Sequence, residues 1–161
     1  MALFISGMEC SLCCQPITNE NELIAFGPFV ANRRDPLYVF SDAVFHRACF
    51  ERHSLSEKAI QRHKDVVQHG GYERLRCVVC NEIITDPDEY FYVGFLTDDP
   101  TNPLFEFNYI QFHVSHFLSW NRAADFQRLV TEFFSSDGWK GPQLKFDPLP
   151  SWIIPPELTV G

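Results

Sequence analysis

The strongest constraint in this 161-residue chain is an internal repeat that carries Cys and His with it. Cys10–Phe50 lies on Cys77–Phe117 without a gap, and the identities fall on the residues that carry chemistry and core. Cys10 and Cys13 fall on Cys77 and Cys80, Ile17-Thr18 on Ile84-Thr85, and Glu22 on Glu89. Pro36-Leu37 and Phe40 fall on Pro103-Leu104 and Phe107, and Phe45-His46 and Phe50 on Phe112-His113 and Phe117. Two tandem copies of one unit are the reading, because self-similarity at a fixed period marks a repeated structural unit.

The Cys and His fall into quartets. Cys10-x2-Cys13 is followed by His46-x2-Cys49, and Cys77-x2-Cys80 by His113-x2-His116. The interval from Cys13 to His46 equals that from Cys80 to His113. Structural zinc takes four tetrahedral N or S donors, and Cys3His and Cys2His2 are standard sets. A Cys-x2-Cys turn presents two thiolates to one point, and two residues three apart on a helix supply the other pair. The helix N-terminus also favours thiolate. Two structural zinc ions are therefore expected. Cys14 competes with Cys13, but its counterpart is Asn81, so the repeat selects Cys13. His53, His63 and His69 have no matching partner and read as surface or packing residues.

Each copy predicts a knuckle, a β-hairpin and a helix. The hairpin strands are expected at Leu23–Val30 and Leu37–Phe40, joined by Ala31–Pro36, and at Tyr90–Thr97 and Leu104–Phe107, joined by Asp98–Pro103. The His-bearing helix follows. Ser54 and Glu57 have capping-box spacing for a helix running to about His69 before Gly70-Gly71. Asn121 stands where Ser54 does, ahead of a helix with an apolar stripe of Phe126, Leu129, Val130 and Phe133. Residues 142–161 are rich in Pro yet keep Leu144, Phe146, Leu149, Trp152, Ile153 and Ile154, which suggests an extended tail packed on the body. The class is α+β, with a first repeat at 1–70, a second at 71–138 and the Pro-rich tail at 139–161.

Knuckle, hairpin and a ligand-bearing helix resemble the treble-clef class of zinc fingers. The strings FHRACF and FHVSHF resemble the second ligand pair of LIM domains and of poly(ADP-ribose) polymerase-type fingers, and the single-site layout is closest to the latter. The resemblance covers Cys10–Phe50 and Cys77–Phe117 and implies a fold element rather than a function. A LIM domain needs a second quartet directly after the first, which this chain lacks. Polymerase-type fingers bind DNA breaks through basic surfaces and end their ligand set in Cys. Here the formal charge is -8 and the second set ends in His116, so DNA binding is not carried over.

Size explains the need for metal. Each copy falls below roughly 70–80 residues, a size at which one core supplies only about 3–5 kcal/mol. Structural zinc contributes on the order of 10–16 kcal/mol of apparent binding free energy in finger peptides.

Charge then narrows the function. Broad phosphate binding rests on clustered Lys and Arg, but the chain has 13 Lys and Arg against 21 Asp and Glu. Arg33-Arg34 in the first hairpin loop is the local exception, and the second copy has Pro100-Thr101 there. Residues 1–67 carry seven cations and eight carboxylates, and residues 68–161 carry six and 13. Between Arg76 and Arg122 there is no Lys or Arg, whereas Glu82, Asp86, Asp88, Glu89, Asp98, Asp99 and Glu106 are present. Asp86, Asp88, Glu89, Asp98 and Asp99 form the candidate partner-binding face, suited to a protein with a basic surface. A catalytic zinc keeps an open position for water, whereas both quartets are complete. A non-catalytic, zinc-stabilised protein-binding module is the expectation, with an inhibitor or immunity-type role in keeping. The alternatives are a nucleic-acid-binding finger protein and a metal-dependent nuclease or hydrolase. No apolar run reaches the roughly 18–20 residues that span a bilayer, and the N-terminal MALFISGMEC lacks the basic start of a signal peptide. Clustered Cys and His then fit a reducing, cytoplasmic setting.

Overall fold

The computed structural model describes residues 7–70, 76–146 and 150–153. The protein is a small mixed structure of helices and two-stranded antiparallel sheets. It divides into two compact units, Met1–Asp65 and Val66–Gly161, and the division falls within the longest helix.

In the first unit a knuckle at residues 10–14 leads through a short 3-10 turn (Glu20–Glu22) into β1 (Leu23–Phe26). A second 3-10 turn (Pro36–Phe40) precedes β2 (Ala43–His46), which pairs antiparallel with β1 so that Leu23 faces His46. The chain enters α1 (Arg47–Glu51) directly and then α2 (Ser56–His69). The second unit has the same order: a 3-10 turn at Pro87–Glu89, β3 (Tyr90–Tyr92), a 3-10 turn at Phe105–Phe107, β4 (Gln111–His113), α3 (Val114–Phe117) and α4 (Ala123–Ser135). Tyr90 faces His113 across its sheet. A third antiparallel pair, β5 (Gln143–Lys145) and β6 (Ser151–Ile153), follows α4.

The expected second hairpin strand is corrected. Leu37–Phe40 is a 3-10 turn, and the returning strand is the segment ending in the His. Asp35 accepts a hydrogen bond from Leu37 N at 2.8 Å, and Pro36 pre-sets φ for the first residue of the turn. Leu37 and Phe40 stand three apart, so in a 3-10 turn they eclipse on one face, and both are buried. Asn102 plays the part of Asp35 for Leu104 N at 2.9 Å, and Leu104 and Phe107 are buried alike.

Two further corrections concern helix starts. α2 begins at Ser56 rather than at a Ser54 cap, with His53 Nδ1 accepting from Leu55 N at 3.1 Å. α4 begins after Arg122 with no side-chain cap at that residue. Gly71, the second residue of the expected helix stop, lies outside the described residues.

Phe clusters form the cores. In the first unit Phe40, Phe45 and Phe50 are fully buried with ring centres 5.5–5.8 Å apart. His53 and His63 pack edge-on against Phe40 and against Phe26 and Phe29. In the second unit Phe112, Phe117, Phe107 and Phe126 are joined by Val130, Phe134 and Trp139, with Leu129 and Phe133 packed partly buried against them. The described part of the tail belongs to this core: Leu144 is buried, Phe146 stacks on Phe117 at 5.7 Å, and Trp152 Nε1 donates to Tyr92 O. Leu149 and Ile154 lie outside the described residues.

The 3-10 turn and the strand make opposite demands on neighbouring positions. Leu37→Ala should cost about 2–5 kcal/mol in denaturant unfolding, as for other buried Leu truncations. Val39→Ala, at an exposed position, should stay within about 0.5 kcal/mol. Equal losses at both positions would indicate strand alternation instead.

Candidate metal centres

Each quartet is assembled from a knuckle and the strand-to-helix junction. In the first knuckle Cys10 N donates to Gln15 O at 2.9 Å and Cys14 N to Cys10 O at 2.8 Å. Cys14 itself takes a left-handed backbone with φ 57°, and Asn81 does the same in the second knuckle at φ 61°. The conformation suits Asn well, and Cys14 serves the turn rather than the quartet. Cys13, its neighbour, points its sulfur into the cluster.

The junction differs from two ligands on one helix. His46 and His113 are the last residues of β2 and β4, and each is the extended residue preceding α1 or α3. Cys49 and His116 follow in the first helical turn. Strand alternation turns Phe45 and Phe112 into the core while His46 and His113 face the knuckle. Helix geometry then brings Cys49 and His116 to the same side.

The ligand atoms of Cys10, Cys13, His46 and Cys49 lie within 4.8 Å of one another, as do those of Cys77, Cys80, His113 and His116. Cys13 Sγ is 3.4 Å and Cys49 Sγ 3.9 Å from His46 Nδ1. In the second cluster Cys77 Sγ to His116 Nδ1 and Cys80 Sγ to His113 Nδ1 are each 3.6 Å. Tetrahedral bonds of zinc length place N and S donors roughly 3.3–3.8 Å apart. The donor sets and their spacing fit a metal ion, and both groups could hold one.

Surrounding polar groups favour that role. His46 Nε2 donates to Pro16 O at 3.3 Å, a carbonyl that can only accept, so the lone pair resides on Nδ1 within the cluster. Burial pushes the Cys10 thiol up, but the backbone N–H groups of His46, Leu12 and Cys13 outweigh it and bring it down to about 6. His46 N lies 3.4 Å from that sulfur. Burial likewise raises Cys77, and the N–H groups of Cys80, His113 and Val79 with the His116 side chain bring it to about 6. Cys13 moves the other way: the Gln15 N–H favours its thiolate, but desolvation and the neighbouring Cys10 and Cys49 raise it. Each cluster thus holds one easily formed thiolate, Cys10 or Cys77, and in the first cluster its charge opposes ionisation of Cys13.

The five acidic candidates fall in two places. Asp86 precedes the Pro87–Glu89 turn and accepts from Asp88 N at 2.9 Å. Glu89 accepts from Ser115 N and Ser115 Oγ, between the two His of the second quartet. Its role as a brace for that ligand-bearing turn goes beyond the sequence reading, where identity with Glu22 is the available signal. The hairpin then runs away from the quartet through Val93–Ile110 and Gly94–Tyr109 backbone bonds. Asp98 and Asp99 lie at its far loop. Thr101 donates to Asp99 through its side chain and N–H, holding that carboxyl below the usual range. Of the other carboxylates in this stretch, Glu106 makes a two-pronged pair with Arg122 at 2.7 Å.

No family model, curated protein or solved structure matches the chain. Among the described residues, no helix is long and apolar enough to cross a membrane.

The quartet geometry sets an expected ranking of variants. Cys14→Ser and His116→Cys should keep two metal equivalents in elemental analysis, the latter because Cys3His is already the first unit's set. Cys13→Ser and His116→Ala should each lose one, with His116→Ala removing the circular-dichroism signal of the second unit. Equal metal loss in His116→Cys and His116→Ala would contradict a geometry shared by the two clusters.

Proposed function

We propose that the chain is a non-catalytic protein-binding module, stabilised by two zinc ions, whose partner presents a basic surface. The observation that carries this reading is the pair of complete quartets, each with four protein N and S donors within reach of one ion. Cys10, Cys13, His46 and Cys49 would hold the first zinc, and Cys77, Cys80, His113 and His116 the second. A zinc held by these four side-chain donors would cross-link the chain rather than activate a water. Knuckle, hairpin and strand-to-helix junction support a treble-clef type of finger for both units. Thiol-rich structural sites suit a reducing compartment, so a cytoplasmic setting is part of the proposal.

Charge supports the choice of partner. From Cys77 to Asn121 there are seven carboxylates and neither Lys nor Arg. Such a surface repels phosphate backbones and attracts cationic protein surfaces, speeding encounter. An inhibitor or immunity-type role against a basic enzyme is the form of this reading that fits a small acidic chain.

Protein purified without added metal should contain two zinc ions per chain, and a strong chelator should abolish its ordered circular-dichroism signal. Mass spectrometry of proteins captured at low ionic strength and released by salt should return a protein with a basic surface, since the Debye length falls from about 10 Å at 0.1 M to about 3 Å at 1 M. Zinc near zero in a folded sample would remove the structural half of the reading. Capture that is indifferent to salt would remove the electrostatic half.

A further inference from the structure

We propose that the knuckle segment of the second unit, with the exposed Val78, Val79 and Ile83 and the exposed carboxylates Glu82, Asp86 and Asp88 of the same short stretch of chain, docks a segment of a partner protein that carries apolar side chains flanked by Lys or Arg. The proposal rests on the protein-binding reading and names the surface and the chemistry of the segment.

Three large apolar side chains stand in one short stretch with Val78 48%, Val79 39% and Ile83 44% exposed. The knuckle that presents them is closed by its own backbone. Cys77 N donates to Glu82 O at 2.9 Å, Asn81 N to Cys77 O at 2.8 Å, and Ile83 pairs with Arg76. Arg76 Nη1 donates to Asn81 O at 2.9 Å, so the nearest preceding cation is engaged in the turn. After it, no Lys or Arg occurs until Arg122, which is paired with Glu106.

The first unit serves as an internal control for what the fold requires. Its knuckle has the same hydrogen bonds, yet Val78, Val79, Glu82 and Ile83 correspond to Ser11, Leu12, Gln15 and Pro16. Asp86 and Asp88 correspond to Asn19 and Asn21, and Asn19 accepts from Asn21 N at 3.0 Å just as Asp86 accepts from Asp88 N at 2.9 Å. A neutral Asn performs the capping function, so the fold does not need a carboxylate at 86 or at 88. Nor does the turn need Val at 78 or Ile at 83. The second knuckle and the turn after it are therefore more apolar and more acidic than their structure demands.

That combination selects the occupant. An apolar tip gains from burial against apolar side chains, and Val, with one stiff torsion, loses little freedom in doing so. The carboxylates of the same stretch favour cations beside the apolar anchor and disfavour nucleic acid and anionic lipid alike. A second copy of the chain would set carboxylate against carboxylate. A basic, apolar protein segment satisfies both parts of the surface.

The test begins with short random peptides displayed and selected on the zinc-loaded full chain. Enriched sequences should place Lys or Arg beside Leu, Ile, Val or aromatic residues. For the tightest peptide, Val78→Ser/Val79→Ser should weaken binding about tenfold, equivalent to roughly 1.4 kcal/mol. Glu82→Gln/Asp86→Asn/Asp88→Asn should weaken it several-fold at low salt and have little effect near 1 M, while Leu12→Ser in the first knuckle should have none. Zinc content and melting should match the parent chain in the second-knuckle variants, because the side chains replaced there are exposed. Enriched peptides that are neutral or acidic, or an absence of enrichment, would overturn the proposal. Basic peptides whose affinity ignores the knuckle variants but falls with salt would overturn this surface while leaving the protein-binding reading intact.

Discussion

Each unit carries a Cys/His quartet that could give its short elements a four-point fastening. The sheets have strands of three or four residues, and the helices that follow β2 and β4 have five and four. Elements this short are marginal alone, because a two-stranded hairpin and a single helical turn cost more order than they return. The quartet joins the knuckle to the last residue of a strand and the first turn of a helix, closing the loop from Cys13 to His46 or from Cys80 to His113. With a cation bound, the junction's direction is fixed, and Phe45 and Phe50, or Phe112 and Phe117, are held toward the core. Ligands and core are therefore interleaved in one string: Phe inward, His to the cluster, then Cys or His to the cluster and Phe inward again.

Comparison of the units shows that geometry, not residue identity, is what this fastening requires nearby. Ser41 Oγ accepts from Phe29 N and Val30 N, and Asn108 Oδ1 accepts from Leu96 N and Thr97 N at the corresponding positions. The hydroxyl and the amide also donate back, to Val30 O and Thr97 O. Residues 42 and 109 both take left-handed backbone, at φ 54° for Asp42 and 64° for Tyr109. Asp is suited to that conformation and Tyr is not, so at this corner the second unit carries the strain, whereas at the knuckle Cys14 carries it in place of Asn81. Elsewhere the solutions diverge. Asp35 pairs with the buried Arg62 at 3.2 Å, whereas the second unit has Asn102 and the partly buried Leu129 at those places.

The clusters and much of the Phe core are legible in the sequence because both lie among the repeated identities. Spacing groups the ligands, and repetition separates Cys13 from Cys14. The segment 37–40 reads wrongly as a strand because four apolar residues have no visible period. Only the separation of Leu37 and Phe40 by one 3-10 turn, together with Asp35-Pro36, marks its true form. The return strands, Ala43–His46 and Gln111–His113, are too short for alternation to stand out. The brace at 41 and 108 is hidden for another reason: Ser and Asn differ in the sequence but offer the same acceptor. Capping-box spacing points to a helix start at Ser54, but His53 supplies the local acceptor.

The two donor sets also match the charge of the units that contain them. With zinc bound, three thiolates and a neutral His leave the first site at -1, whereas two thiolates and two His leave the second neutral. Residues 1–67 carry seven cations and eight carboxylates, so a singly negative site adds little repulsion there. Residues 68–161 carry six and 13, with Glu89 bonded to the turn between the second pair of ligands. A third thiolate in place of His116 would add negative charge beside that carboxylate. The neutral site is therefore the one compatible with a strongly acidic surface at lower electrostatic cost, and the exchange of Cys49 for His116 between repeats has a physical rationale in the charge around it.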